Sequence, residues 1–284
     1  MVIRMATEKT PRVSIILPTY NRVTLLKRAI RSIISQSLGE WELIVINDAS
    51  LDATKTYLDE IAKKNERIKP IHNEKNNYPD ISKNLNHGLE AAMGTYIARL
   101  DDDDYWCDDD KLKKQYEFLE ANKEYAVTGG GTIVVDENDK ERFRYLKPEA
   151  DEAIRSKALL ANPFTHSTVM FRRDMARTVG GYGNFKNAED WDLWLRMGMR
   201  GKFYNFQDYF VRYLMNEQSK TFVFKRSQSG EIVKLISAYK RSYPHYYAAL
   251  FVSVSQYCYS LLPVWLRRPL YNFLSKMKRS AFTR

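Results

Sequence analysis

Residues 96–106 read "YIARLDDDDYW": a short apolar run of strand character that ends in four consecutive aspartates. Residues 95–100 are predicted to form a strand, with Gly94 stopping the helix before it. Four successive carboxylates repel one another, so the run needs a counter-charge. Alternate side chains of an extended chain share a face, so Asp101 and Asp103 are expected to aim at one point. Such a pair suits Mg2+ or Mn2+, which take one or two carboxylates and fill their shell with water and substrate phosphates. The alternative for the run alone is an acidic, solvated loop. An EF-hand is disfavoured, because Trp106 stands where that loop requires glycine.

Working outward, "VSIILP" (13–18) is a buried, β-branched strand that gives way to "TYNR". Leu25, Leu26, Ala29, Ile30, Ile33 and Ile34 then repeat at helical spacing. "WELIVINDAS" (41–50) is a second strand ending in Asp48; Ser50 or Asp52 can cap the helix that turns Tyr57, Leu58 and Ile61 inward. "RIKPIHN" is a weaker third strand, and residues 81–93 read as a helix. This alternation through residue 121 predicts an α/β fold, a mostly parallel sheet flanked by helices. Ligands of such sheets bind off the carboxyl ends of the strands. Pro18, Thr19, Tyr20, Asp48 and Asp101–Asp104 all fall there, and this convergence carries the functional expectation.

The second half is less regular. Residues 125–135 suggest a strand whose Gly129–Gly131 permit close backbone approach. Helices are expected over 151–160 and 187–201, a strand leading into a helix over 165–181, and a β-like aromatic run over 203–214.

The chain has 284 residues and a net charge of +10, 44% hydrophobic and 28% charged, a globular composition. The charge is uneven. After Glu231 there are nine basic residues and no acidic one, leaving 36 basic against 35 acidic before it. A neutral body with a basic tail fits an electrostatic anchor and disfavours nucleic acid as a partner. Two isolated cysteines, Cys107 and Cys258, read as reduced thiols, and "MVIRMATEKT" lacks the apolar run of a signal peptide, so a cytoplasmic setting is expected.

Taken in order, "VSIILPTYNR", "LIVINDAS-D", "NHGLEAAMGTYIARLDDDD", "HSTVMFRRD…VGGYG" and "AEDWDLWLRM" resemble family 2 of the inverting nucleotide-sugar glycosyltransferases, which have the GT-A (Rossmann-like) fold. The resemblance spans about residues 12–215. It implies a catalytic domain over 11–215, with a nucleotide-binding half (11–121) and an acceptor-side half (122–215), followed by a helical, basic C-terminal extension over 216–284. It implies that Pro18, Thr19 and Tyr20 grip the nucleotide, with Tyr20 packed on the base, that Asp48 meets the uracil edge, and that Asp101 meets the ribose. Asp103 matches the metal ligand, while Asp102 and Asp104 line the same loop. Asp190 matches the catalytic base, with Glu189 contacting the acceptor. The implied reaction moves a sugar from a nucleotide-diphosphate donor, a UDP-sugar, to a hydroxyl of a glycan or lipid-linked acceptor with inversion.

Each residue has a plainer reading beside this one. Tyr20 can be an ordinary strand-end aromatic and Asp48 a helix cap. Glu189, Asp190 and Asp192 suit the first turn of a helix on dipole grounds alone. Trp191 and Trp194 fit a core better than a sugar platform, and His166 is equally a structural histidine. The sequence also departs from the family: Leu85 occupies the position of a diphosphate-clamping arginine, for which Lys83 can substitute, and only Asn216 or Gln218 stands near the position of a metal-binding histidine.

From residue 242 to 266 there is no formal charge apart from His245. Leu250, Val254, Cys258, Leu261 and Trp265 share a helical face, with Ser253, Gln256 and Ser260 opposite, and Lys240, Arg241, Arg267 and Arg268 bracket the segment. The polar stripe and Pro263 favour lying on an anionic membrane surface over crossing it, with a packed subdomain as the alternative. Two other functions compete: a sugar nucleotidyltransferase, disfavoured because "LPTYNR" lacks glycine, and a non-catalytic scaffold, disfavoured by Asp103 and Asp190.

Overall fold

A computed structural model describes residues 10–183, 185, 186, 188–215 and 226–262. The readings at residues 1–9, Asn187, Asn216, Gln218, Pro263, Trp265, Arg267 and Arg268 lie outside the described residues. Strand β1 (Val13–Thr19) leads to helix α1 (Val23–Ile34), β2 (Trp41–Asn47) to α2 (Thr54–Lys64), and β3 (Ile68–His72) to α3 (Ile81–Ala91). Then come β4 (Tyr96–Arg99), β5 (Tyr105–Trp106), α4 (Lys111–Ala121), β6 (Tyr125–Val135), β7 (Glu141–Tyr145) and α5 (Asp151–Lys157). A 3-10 turn at His166–Thr168, β8 (Met170–Arg172), α6 (Arg173–Thr178), α7 (Glu189–Gly198) and β9 (Lys202–Leu214) follow, and α8 (Arg226–Ala238) and α9 (Tyr246–Leu261) close the described chain.

The strands form one sheet in the order β3-β2-β1-β4-β8-β6-β9-β5, with β7 branching from β6. The first four are parallel; β8 runs antiparallel to both β4 and β6, while β6 and β9 are parallel. Alternation along β1 sorts the core into two layers. Ile15 and Leu17 pack with Val45, Leu26, Ile30, Leu58 and Leu112 beneath α1, α2 and α4. Ile16 packs on the other face with Ile46, Leu85, Leu89, Trp191 and Trp194 beneath α3 and α7. Leu235, Ile236, Tyr239, Tyr243 and Ala249 join this second layer, so α8 and the start of α9 pack onto it.

Two close approaches fix glycine. A Cβ on Gly94 would lie 2.6 Å from the Ser14 backbone nitrogen, where α3 returns to β4 alongside β1. A Cβ on Gly130 would strike the Phe210 ring across β6 and β9. The structure departs from the periodicity in three places. His166–Thr168 form a 3-10 turn rather than strand, and β5 and β7 were not predicted. β5 has two residues, too few to show a period, and β7 carries charges along a partly exposed branch strand.

Candidate active site

Because β2, β1 and β4 are parallel neighbours, their carboxyl ends lie side by side, with Thr19 registered against Asn47. Two of the loops leaving them adopt left-handed backbone at non-glycine residues: Asn21 (φ 53°) after β1 and Ala49 (φ 60°) after β2. Such conformations cost about 1 kcal/mol or more and persist where neighbours hold them. Here Asn21 staples the two loops: its Oδ1 accepts from the Leu51 nitrogen (2.7 Å) and its own N–H donates to Ser50 Oγ (3.0 Å).

The aspartates do not continue the strand. β4 ends at Arg99, and the Asp104 N–H donates to the Asp101 carbonyl at 3.2 Å, closing a turn. The turn replaces the expected alternation with a different set of partners for each carboxylate. Asp101 pairs with Arg99 at 2.5 Å. Asp102 accepts from Thr19 Oγ1 at 2.8 Å and from Arg22 Nη1 at 2.9 Å. Asp103 accepts from the same Arg22 nitrogen at 2.8 Å. Asp104 is fully buried and faces inward, accepting from Ser167 Oγ (2.5 Å) and the Leu214 N–H (3.1 Å). The carboxylates that share a hydrogen-bond donor are Asp102 and Asp103, with the charge of Asp101 also acting on Asp103. One positive nitrogen thus bridges two carboxylates whose oxygens are of the hard type that divalent ions take.

Burial first, and then the surrounding charges, set the ionisation of the cluster. Burial raises Asp101, but the charge of Arg99, the neighbouring His166 and the hydrogen bonds from Ser167 and Arg99 together outweigh it and hold this carboxyl below its usual value. Asp102 is raised by burial, which Arg22 only partly offsets. Asp103 is pushed up to about 6 by burial and by the charge on Asp102. Burial and the charges on Asp103 and Asp101 push Asp104 well above the carboxylate range.

Arg22 and Arg99 carry this arrangement, and sequence reasoning assigned neither. Each leaves a signal. Arg22 is the N-cap of α1, where a helix dipole disfavours a cation. Arg99 ends an otherwise apolar four-residue strand and is buried, donating to the carbonyls of Ile16 and Leu100 and to His166 Nε2. Asp48 was also read incompletely. It does not cap α2; Asp52 Oδ1 accepts from the Thr54 N–H at 3.0 Å instead. Asp48 Oδ1 accepts from Asn73 Nδ2 (2.9 Å) and the Asn77 N–H (3.0 Å), and Asn84 Oδ1 joins both asparagine side chains. The "NEKNN" run was the available signal. Pro18 is buried within β1, and Tyr20 is 43% exposed beyond its end.

Asp190 sits in the first turn of α7. Its Oδ2 accepts from Asn162 Nδ2 (2.8 Å) and its Oδ1 from the Trp191 N–H (2.7 Å). His166 and Tyr182 link the two sides: both feel the charges of Asp101 and Asp190, and Tyr182 feels Glu189 as well. Burial and Arg99 hold His166 neutral down to about 4. Trp191 is core, donating Nε1–H to the Ala158 carbonyl, and Trp194 packs edge-on against Phe164 and Phe171. Asp192 is structural, bonded to Arg196 and Tyr239. Lys83 is exposed and lies 3.9 Å from Asp80, and Leu85 is buried in the core, so neither supplies a cation to the aspartates. Among the described residues, no group of three or more His, Cys, Asp and Glu side chains is placed to hold a metal unaided.

Residues 14–180 match the family model described as "Glycosyl transferase family 2". The chain belongs to this family. It is similar to the putative glycosyltransferase EpsE of Bacillus subtilis, 38% identical over 81% of each chain. It is also similar to the putative teichuronic acid biosynthesis glycosyltransferase TuaG of Bacillus subtilis, 32% identical over 73% of this chain and 77% of that one. A Campylobacter jejuni GalNAc(5)-diNAcBac-PP-undecaprenol beta-1,3-glucosyltransferase is 30% identical over 74% of this chain and 67% of its own. Two solved structures share the GT-A fold. S. aureus TarS 1-349, with UDP-GlcNAc, has a TM-score of 0.63 at 18% identity, over 86% of this chain and 72% of that one. The Pyrobaculum calidifontis mannosyltransferase PcManGT, with GDP-Man and Mn2+, has a TM-score of 0.63 at 16% identity, over 95% and 81%. This family 2 chain is a glycosyltransferase.

Proposed function

We propose that this glycosyltransferase moves a sugar from a UDP-sugar to a hydroxyl of a lipid-linked or glycan acceptor in cell-surface polysaccharide synthesis, with inversion and with Mg2+ or Mn2+. The observation that carries the donor side is the single Arg22 nitrogen at 2.9 Å from Asp102 and 2.8 Å from Asp103, beside the ends of β1 and β2. Asp103, assisted by Asp102, would hold the divalent ion, which supplies charge neutralisation for a diphosphate leaving group. Tyr20 offers a half-exposed ring for the base. Asp48 Oδ2 accepts only from the Asn77 N–H, at 3.2 Å, among the described residues, which leaves it capacity for a uracil N–H. The Campylobacter relative's undecaprenol-linked substrate supports a lipid-linked acceptor, and the UDP-GlcNAc complex of TarS supports the donor class.

Asp190 is the base in this reading. Asn162 and the Trp191 N–H fix its carboxylate, so it presents a defined lone pair to the acceptor hydroxyl. The hydroxyl oxygen attacks the anomeric carbon as the bond to the diphosphate oxygen breaks, and the proton passes to Asp190. One displacement inverts the centre. The test is release of the nucleoside diphosphate with Mn2+ across a panel of UDP- and GDP-sugars, UDP being expected, compared with Asp190→Ala and Asp103→Ala. Absence of release and of transfer for every donor favours a scaffold and overturns the proposal.

Helix α9 supports peripheral attachment to an anionic membrane. Its polar Ser253 turns inward, 4% exposed, while Tyr247 (83%) and Phe251 (74%) stand in solvent with Val254 and Leu261. This reverses the pattern of a helix that packs its apolar face on its own core. Lys240 and Arg241 lie exposed just before it. Among the described residues, no helix is long and apolar enough to cross a membrane.

A further inference from the structure

Arg22 bridges the two acids that the donor-site reading gives to the metal ion. Its Nη1 touches Asp102 Oδ1 and Asp103 Oδ2, and among the described residues Nε and Nη2 engage no acceptor. The side chain is 46% exposed, so it is free to leave along a solvated path. Arg99 is different: it is buried and fastened to two carbonyls, His166 and Asp101. Arg22 is therefore the movable cation of the cluster. An ion bound to Asp102 and Asp103 would compete with Arg22 for the same two oxygens, and two positive centres cannot share that point. A guanidinium displaced from carboxylates meets an equally suitable partner in a diphosphate, whose oxygens accept its parallel N–H groups. Among the described residues, position 85 is a buried leucine, Lys83 lies 3.9 Å from Asp80, and Arg28 donates to the Asp103 carbonyl rather than to its carboxylate.

We propose that Arg22 is an exchangeable counter-ion. In the donor-free protein it joins Asp102 to Asp103 and keeps a bare divalent ion out; when the ion arrives with a nucleoside diphosphate, Arg22 yields the carboxylates and binds the diphosphate oxygens. This rests on the donor-site reading above. It gives the site a preference for the ion–nucleotide pair over either component, because only the pair both replaces Arg22 and receives it.

The experiment measures two affinities in wild-type protein, Arg22→Gln and Arg22→Lys. Mn2+ binding without nucleotide is read from the electron paramagnetic resonance of free Mn2+, and UDP binding at saturating Mn2+ by calorimetry. Arg22→Gln is expected to bind bare Mn2+ several-fold more tightly and UDP with Mn2+ about tenfold more weakly. Arg22→Lys keeps the charge without the fork, so it falls between the two on both measures. A purely structural Arg22 would weaken both affinities together, and that result, or an unchanged Mn2+ affinity in Arg22→Gln, overturns the proposal. Loss of folding in Arg22→Gln, read by circular dichroism, leaves Arg22→Lys to decide by the same opposed shifts. A wild-type protein that binds no UDP with Mn2+ would instead overturn the donor-site reading itself.

Discussion

Asp103→Asn should stabilise the protein while removing its ability to use the donor. Asp103 is 22% exposed, and burial and its acidic neighbours push its carboxyl from 3.8 to about 6. At about 1.4 kcal/mol per unit, that difference sets the ionised side chain against folding by about 3 kcal/mol at neutral pH. The neighbouring acids share this cost and solvent reaches part of the group, so a single substitution should recover about 1–2 kcal/mol. For a chain of this size, that raises the melting temperature by ~2–8 °C. The pH dependence has a definite sign. The native state binds the Asp103 proton more tightly than the unfolded chain, so the contribution of Asp103 to wild-type stability falls as pH rises from about 4 to about 6. The gain from Asp103→Asn is therefore complete above about 6 and vanishes below about 4. Thermal unfolding of both proteins at several pH values measures it, and Mn2+-dependent UDP release, expected to fall by at least about a hundredfold, accompanies it. A less stable Asp103→Asn at neutral pH, or a difference that ignores pH, would refute the reasoning and make Asp103 a structural acid.

Three further outcomes follow from the same site. Asp190→Asn should lower the turnover of UDP release by about 10²–10⁴-fold with UDP affinity nearly unchanged, as calorimetry would show. The Mn2+ concentration needed to support UDP binding should rise by about tenfold per pH unit below about 6, where a proton competes for Asp103, and calorimetry of UDP at graded Mn2+ and pH 5, 6 and 7.5 checks this. Phe251→Asp should reduce sedimentation with phosphatidylglycerol vesicles several-fold and leave UDP release on a soluble acceptor intact; equal sedimentation would remove α9 from the membrane.

Much of the α/β half was legible because its signals are local. β6 spans Tyr125–Val135 as the sequence predicts, and β1 and β2 lie within about three residues of their expected ends. Alternation within β1 follows from its composition, since Ile15 and Ile16 must face opposite layers once both faces are covered. The convergence of three strand ends was also legible, because parallel strands joined by helices place their carboxyl ends together. The pairing of Asp102 with Asp103 was not. A turn closed by the Asp104 N–H replaces the extended backbone on which the alternation argument stood.

The remaining contacts join residues far apart in sequence. Arg22 reaches Asp102 across 80 positions, and Leu214 reaches Asp104 across 110. Asp48 is claimed by Asn73 and Asn77 only because β2 and β3 become neighbours. By itself, then, the sequence determined which segments become strands and helices, and which strand ends carry acids, because hydrophobic periodicity and turn chemistry act within a few residues. Only the tertiary structure decided which cation meets which carboxylate, since burial and Coulomb attraction depend on distances through space that no local pattern records.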